Sequence, residues 1–215
     1  MRALRRSLES TGEDGFPNDV LELQAYLATP RDDVPVRAVP GQGTEVPIWL
    51  LGSSLFSAQL AAERGLPYAF ASHFAPRMLM QAIDLYRSQF RPSAQLRQPH
   101  VVVGVPLVAA PTDAEAEYLA SSNYQRVLGI VRGERGRMPP PVDGFMASLG
   151  PSEQAAIRSF LAMAVIGGPD TVRRRLQDIV QATEADELML VCDTFDPDMR
   201  LRSLSIAAEQ WRARV

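Results

Sequence analysis

The stretch VPIWLLGSSLFSAQLAAERGLPYAFASHF, residues 46–74, decides how the chain is built. Residues 47–51 are a short apolar run of strand length. Gly52, Ser53 and Ser54 break the run, and residues 55–64 continue with helical composition. Gly65, Leu66 and Pro67 stop that helix, and residues 68–74 read as a second buried strand. The segment is a complete strand–helix–strand unit. Its polar turn lies at the carboxyl end of the first strand, the edge at which parallel α/β sheets bind ligands.

Composition narrows what such a unit can serve. The chain has 215 residues, 46% apolar and 22% charged, which suits one globular domain over residues 1–215. A formal net charge of −3 gives no bulk attraction to nucleic acid or an anionic membrane. All 22 basic residues are Arg and there is no Lys, which excludes Schiff-base chemistry and a phosphate-loop lysine. The single Cys192 and the two histidines, His73 and His100, supply neither an intrachain disulfide nor a Cys-rich or three-histidine metal centre, so no metal is expected. The longest apolar run, around residues 101–110, is too short to span a bilayer, and residues 1–15 lack the apolar core of a secretory signal. A cytoplasmic protein is expected.

Outward from the opening unit, the pattern alternates. Before it, residues 1–8 carry Leu4 and Leu8 on one helical face, and Pro17 starts a helix through Ala28 with Val20, Leu23 and Leu27 on one side. Residues 30–45 are Pro- and Gly-rich and irregular. After it, Pro76 begins a helix striped by Leu79, Ile83, Tyr86 and Phe90. Residues 100–110 read as a strand buried on both faces. Thr112 to Glu115 resembles a capping box for a helix reaching Arg132. Residues 133–144 form a loop rich in Gly, Pro and Arg, long enough to be a functional excursion. Helices over residues 152–164 and from residue 169, a strand over residues 186–192 and a closing helix from Asp198 complete the order. Four strands separated by helices predict right-handed crossovers and a parallel sheet, and they look like the second half of an eight-stranded barrel.

The chemistry concentrates at carboxyl edges. Gly52, Ser53, Ser54 and Ser57 offer hydroxyls and helix-start amides that suit a phosphate, whereas a plain N-cap serine would need only one of those hydroxyls; the residues by themselves leave both readings open. The turn lacks the further glycines of a dinucleotide fingerprint, and Phe56 stands where a nucleophile elbow requires Gly. His73, at the end of the second strand, can contact a cofactor ring, act as a general base or serve as a structural histidine. His100, at the opposite edge, reads as structural. Arg132, Arg135 and Arg137 suit either a lid over an anion or a solvated loop. Gly167, Gly168 and Pro169 open a helix that can receive a phosphate or simply initiate. Asp193 reads as a loop cap and Cys192 as a packed thiol.

At residues 46–76 the sequence resembles the luciferase-like, flavin-dependent monooxygenases, a branch of the (β/α)8 TIM-type barrels. The likeness continues through YRSQFRPSAQL, the RGERGRMPPPVDG loop, VIGGPDTVRRRL and ADELMLVCDTFD, so it runs from about Leu4 to Glu209. The resemblance implies reduced FMN supplied by a partner reductase, dioxygen as oxidant, and an aldehyde or other small organic substrate. It places Ser54 and Ser57 on the FMN phosphate, with Gly52 and Ser53 beside them, and residues 71–74 near the flavin. It carries no catalytic base across, which leaves His73 a bare candidate. It also matches only strands five to eight of the barrel. A half-barrel exposes two sheet edges, so the chain is either part of a longer protein, a non-catalytic remnant, or one half of a homodimer that buries those edges. A reductase of the same architecture, using flavin or a deazaflavin, is the remaining alternative.

Overall fold

The computed structural model describes residues 15–29, 36–134 and 136–212. The expected helix over residues 1–8 and Arg135 lie outside them. The chain divides into two compact units, Met1–Trp49 and Leu50–Val215.

The first unit holds α1 (Phe16–Leu27), with Pro17 in its first turn and Val20 its buried residue. The backbone that follows folds back on the helix end: Glu45 N–H donates to Leu27 O at 3.0 Å and Gly43 N–H to Ala28 O at 3.0 Å.

The second unit is a parallel sheet with helices. In order come β1 (Leu50–Gly52), α2 (Leu55–Arg64), β2 (Tyr68–Phe70), α3 (Leu79–Gln89), β3 (Val101–Ala109), α4 (Asp113–Arg132), α5 (Pro151–Phe160), β4 (Val165–Gly167), α6 (Pro169–Thr183), β5 (Glu187–Val191) and α7 (Pro197–Arg212). The four expected strands are present, and β1 and β2 are shorter than their apolar runs. A fifth strand, β4, lies where the sequence suggested only the approach to a helix; its three residues pair with the last three of β3. Val102 and Val103 pair with both β2 and β5, so those strands flank β3 on opposite sides, and β1 extends the sheet beyond β2.

Register sorts the side chains into two faces. Leu50, Tyr68 and Val101 lie in one row, and Gly52, Phe70, Val103 and Leu188 in another on the same face. Tyr68, Phe70, Val101 and Val103 are fully buried there. Tyr86 of α3 packs on Tyr68 with ring centroids 5.4 Å apart. Its hydroxyl donates to Leu66 O at 2.9 Å and accepts from His100 N–H at 3.1 Å. The opposite face carries Leu51, Ala69, Val102, Gly104, Pro106, Met189 and Val191. It is partly open: Leu51 is 69% and Met189 60% exposed. Over its carboxyl end, α4 and α5 close a core of Val108, Leu119, Tyr124, Val127, Leu128 and Ile157.

Local signals account for the element ends. Gly65 ends α2 in the left-handed region, φ 60°, with its N–H reaching Ala61 O and Ala62 O, as a C-terminal glycine should. Thr112 caps α4 by accepting from Glu115 N–H at 3.2 Å, while the Glu115 side chain pairs with Arg202 instead of closing the box. Pro76–Met78 is a 3-10 turn leading into α3, so the helix begins three residues later than its proline suggests.

Candidate active site

Two features share the carboxyl edge of the sheet. The first is the turn between β1 and α2. Ser54 is the N-cap of α2 and accepts from Ser57 N–H at 3.3 Å. The Ser57 hydroxyl donates to Ser54 O at 2.8 Å and meets the Tyr68 hydroxyl at 3.1 Å. Tyr68 Oη lies 3.3 Å from Ser54 O, so three polar groups are tied together beneath the turn. Gly52 makes this possible: a Cβ there would stand 2.1 Å from Ser57 Oγ and 2.4 Å from Ser57 Cβ. Ser57 is buried at 8% exposure, whereas Ser54 is exposed and Ser53 half-buried. By helix geometry the Leu55 and Phe56 amides, in the first turn, have no intrahelical acceptor.

The second feature is a cavity of about 250 Å³ over the open face. Its walls include Pro106, Val108, Ile130, Phe160, Leu161 and Ile166, and its polar end has His73, Asn123, Arg126 and Asp193. His73 follows β2 by three residues and lies against Phe74, ring centroids 4.2 Å apart and the planes tilted by 48°. Its Nδ1 is sealed from solvent without a hydrogen-bond partner. That side of the ring faces Gly104, where a Cβ would come within 3.1 Å of Nδ1. Burial pushes the imidazole pKa below its ordinary value; Asp193 pulls it up and Arg126 down.

Asp193, just after β5, shares its carboxylate between Arg126 at 3.1 Å and Arg200 at 3.8 Å. Asn123 orders the group, donating to Asp193 O at 2.8 Å and accepting from Arg126 Nη2 at 3.4 Å. These half-exposed pairs stabilise the fold by only about 0–1 kcal/mol each, so their interest is the charge they set at the cavity mouth. Asp193, expected as a loop cap, is the centre of this cluster. Asn123 and Arg126 went unread in the sequence. The available signal was Asn123 breaking the apolar helical row Ala116, Ala120, Val127.

The other sequence candidates serve structure. Gly168 N–H, at the start of α6, donates to Asp113 Oδ1 at 2.6 Å, so the chain's own carboxylate occupies the place offered to a phosphate. His100 Nε2 meets Glu187 Oε1 at 2.9 Å, joining β3 to β5 at the amino edge. Arg132 is paired with Glu153 of α5 at 2.6 Å. Cys192 is buried, and burial raises its thiol pKa. Among the described residues, no helix is long and apolar enough to cross a membrane, and no group of three or more His, Cys, Asp or Glu side chains is placed to hold a metal ion.

Comparison with known proteins gives one answer. Residues 3–187 match the family model for luciferase-like monooxygenases. A protein of Bacillus subtilis (strain 168), YvbT, is 46% identical over 215 residues, covering 99% of this chain and 63% of its own length. A luciferase-like monooxygenase of Escherichia coli (strain K12) is 46% identical over 209 residues, covering 97% of this chain and 62% of its own length. The crystal structure of apo-MsnO8 superposes with a TM-score of 0.83 at 32% identity, over 96% of this chain and 63% of that one. The chain therefore spans under two thirds of the length of the relatives it matches.

Proposed function

Since the chain belongs to the luciferase-like monooxygenase family, whose structural neighbours are TIM-barrel enzymes, we propose that it builds the phosphate end and one wall of the reaction chamber of an FMN-dependent oxygenase acting on a small organic molecule. The observation that carries this reading is the β1–α2 turn, a helix start with an exposed Ser54 on the same sheet edge as the His73 cavity. The turn fits a phosphate. Ser53 and the Leu55 and Phe56 amides are the groups with donors to spare, and the helix start adds a partial positive charge. The exposed Ser54 hydroxyl gives its hydrogen to Ser57 Oγ only over a long 3.4 Å and can turn it to a ligand. Ser57 and Gly52 act one step behind: the Ser57 hydroxyl is committed to Ser54 O and Tyr68, and Gly52 leaves it room.

Bound in its reduced form, FMN supplies the electrons for activating dioxygen, and a separate reductase delivers it. What this chain's residues contribute is placement and dryness. Phe160, Leu161 and Ile166 exclude water from the cavity, and His73 contacts the ring or the substrate at its polar end. Titrating the protein into FMN tests the proposal: the flavin fluorescence should fall saturably, and with reduced FMN and dioxygen an organic cosubstrate should gain an oxygen atom only when the protein is present. Unchanged fluorescence at micromolar protein would overturn it.

A further inference from the structure

The polar end of the cavity has a one-sided chemistry. His73 Nδ1 is walled off beside Gly104 with no partner. A buried N–H without an acceptor is rarer than an unused lone pair, so the ring proton belongs on Nε2, the nitrogen left to serve the cavity. Arg126 is a donor only, held at Nη1 by Asp193 at 3.1 Å and only loosely at Nη2 by Asn123 at 3.4 Å. The Asn123 amide gives one N–H to Asp193 O, and the two carboxylate oxygens of Asp193 face guanidiniums, Arg126 at 3.1 Å and Arg200 at 3.8 Å. Arg126 and His73 Nε2–H are donors of the cavity lining with capacity left, and Arg200, outside the lining, brings the group of two guanidiniums and one carboxylate to a charge of +1. The remaining wall is apolar.

We propose that this cavity takes an aliphatic molecule ending in a carboxylate, its oxygens received by Arg126 and by His73 Nε2–H and its chain lying along Phe160, Leu161 and Ile166. The assignment rests on the reading of this edge as the reaction chamber and adds the substrate class. Size sets the length: a cavity of 150 Å³ holds benzene, so one of about 250 Å³ holds roughly ten heavy atoms. Octanoate has that number.

Calorimetric titration of the 215-residue protein with octanoate, 1-octanol and octylamine tests the assignment. Octanoate should bind about tenfold tighter than octanol, the margin of one charge-assisted contact, and octylamine should not bind. Arg126→Gln should abolish the margin between acid and alcohol. Asp193→Asn, which removes the carboxylate competing for Arg126, should tighten octanoate, whereas a purely structural role for the pair predicts weakening. Equal binding of acid and amine, a margin that survives Arg126→Gln, or weaker octanoate binding to Asp193→Asn overturns the assignment. FMN quenching on the same samples reports the flavin reading separately: quenching without acid preference refutes the substrate class alone, and acid preference without quenching refutes the cofactor alone.

Discussion

Replacing Gly52 with Ala puts one methyl group where the structure has no room. The new Cβ would sit 2.1 Å from Ser57 Oγ and 2.4 Å from its Cβ. Ser57 cannot swing aside freely, because it is buried on α2 and its hydroxyl is bonded to Ser54 O at 2.8 Å and to Tyr68 Oη at 3.1 Å. Overpacking of this kind costs about 1–3 kcal/mol. Losing one of the hydroxyl's bonds adds about 1 kcal/mol, and the entropy that alanine removes from the unfolded chain returns about 0.5 kcal/mol. The expected loss is about 2–3 kcal/mol, a fall of about 1 M in the urea midpoint followed by far-ultraviolet circular dichroism. The decisive comparison is the same substitution in a Ser57→Gly background. With the serine side chain gone the methyl group has space, so the cost should shrink to near zero, a coupling of about 2 kcal/mol. A loss below about 0.5 kcal/mol for Gly52→Ala alone, or an equal loss in both backgrounds, would refute the idea that this glycine exists to admit Ser57.

Ser54→Ala should cost α2 about 1 kcal/mol of capping and, if its hydroxyl also donates to a phosphate, weaken FMN by about 1–2 kcal/mol in a quenching titration; an unchanged dissociation constant assigns the serine to capping alone. His73 should titrate below 6.5 in a proton NMR series, because burial disfavours its charged form. The unfolded chain then takes up that proton first, so His73 draws down stability as pH falls from 6.5 through its lowered folded value, and His73→Gln should flatten that part of the stability–pH curve. Tyr86→Phe strands Leu66 O and His100 N–H beneath the sheet and should cost about 2–3 kcal/mol by urea denaturation, whereas a loss under about 0.5 kcal/mol would mean water replaces the hydroxyl.

Reading the chain in order recovers the sheet because its strands are separated by helices with plain start and stop signals: Pro17, Thr112 and Gly65 each do what the sequence leads one to expect. Strand lengths are less legible. Residues 47–49 are as apolar as residues 50 and 51, yet the ladder with β2 begins at Leu50, because a strand is defined by its pairing as well as by its pattern. β4 escaped notice for the same reason, since a three-residue strand is created by the end of β3 beside it. At the β1–α2 turn the residue types are visible in the sequence, but the division of labour is not: only the folded turn separates an exposed Ser54 from a Ser57 whose hydroxyl is already bonded. Arg126 and Asp193 lie on different elements, and nothing local in either segment announces that they meet.

The two faces of the sheet have a consequence for how this chain can change over time. Along each strand, neighbouring positions answer to different masters: Leu50, Tyr68, Phe70, Val101 and Val103 are packed without slack, while on the other face Leu51 and Met189 look toward open space and Ala69 and Pro106 are half-buried. Substitution in the second set alters the shape of the open face without disturbing the first. Descendants of this sequence can therefore reshape that face one alternate residue at a time, with the helical layer as an unchanging chassis.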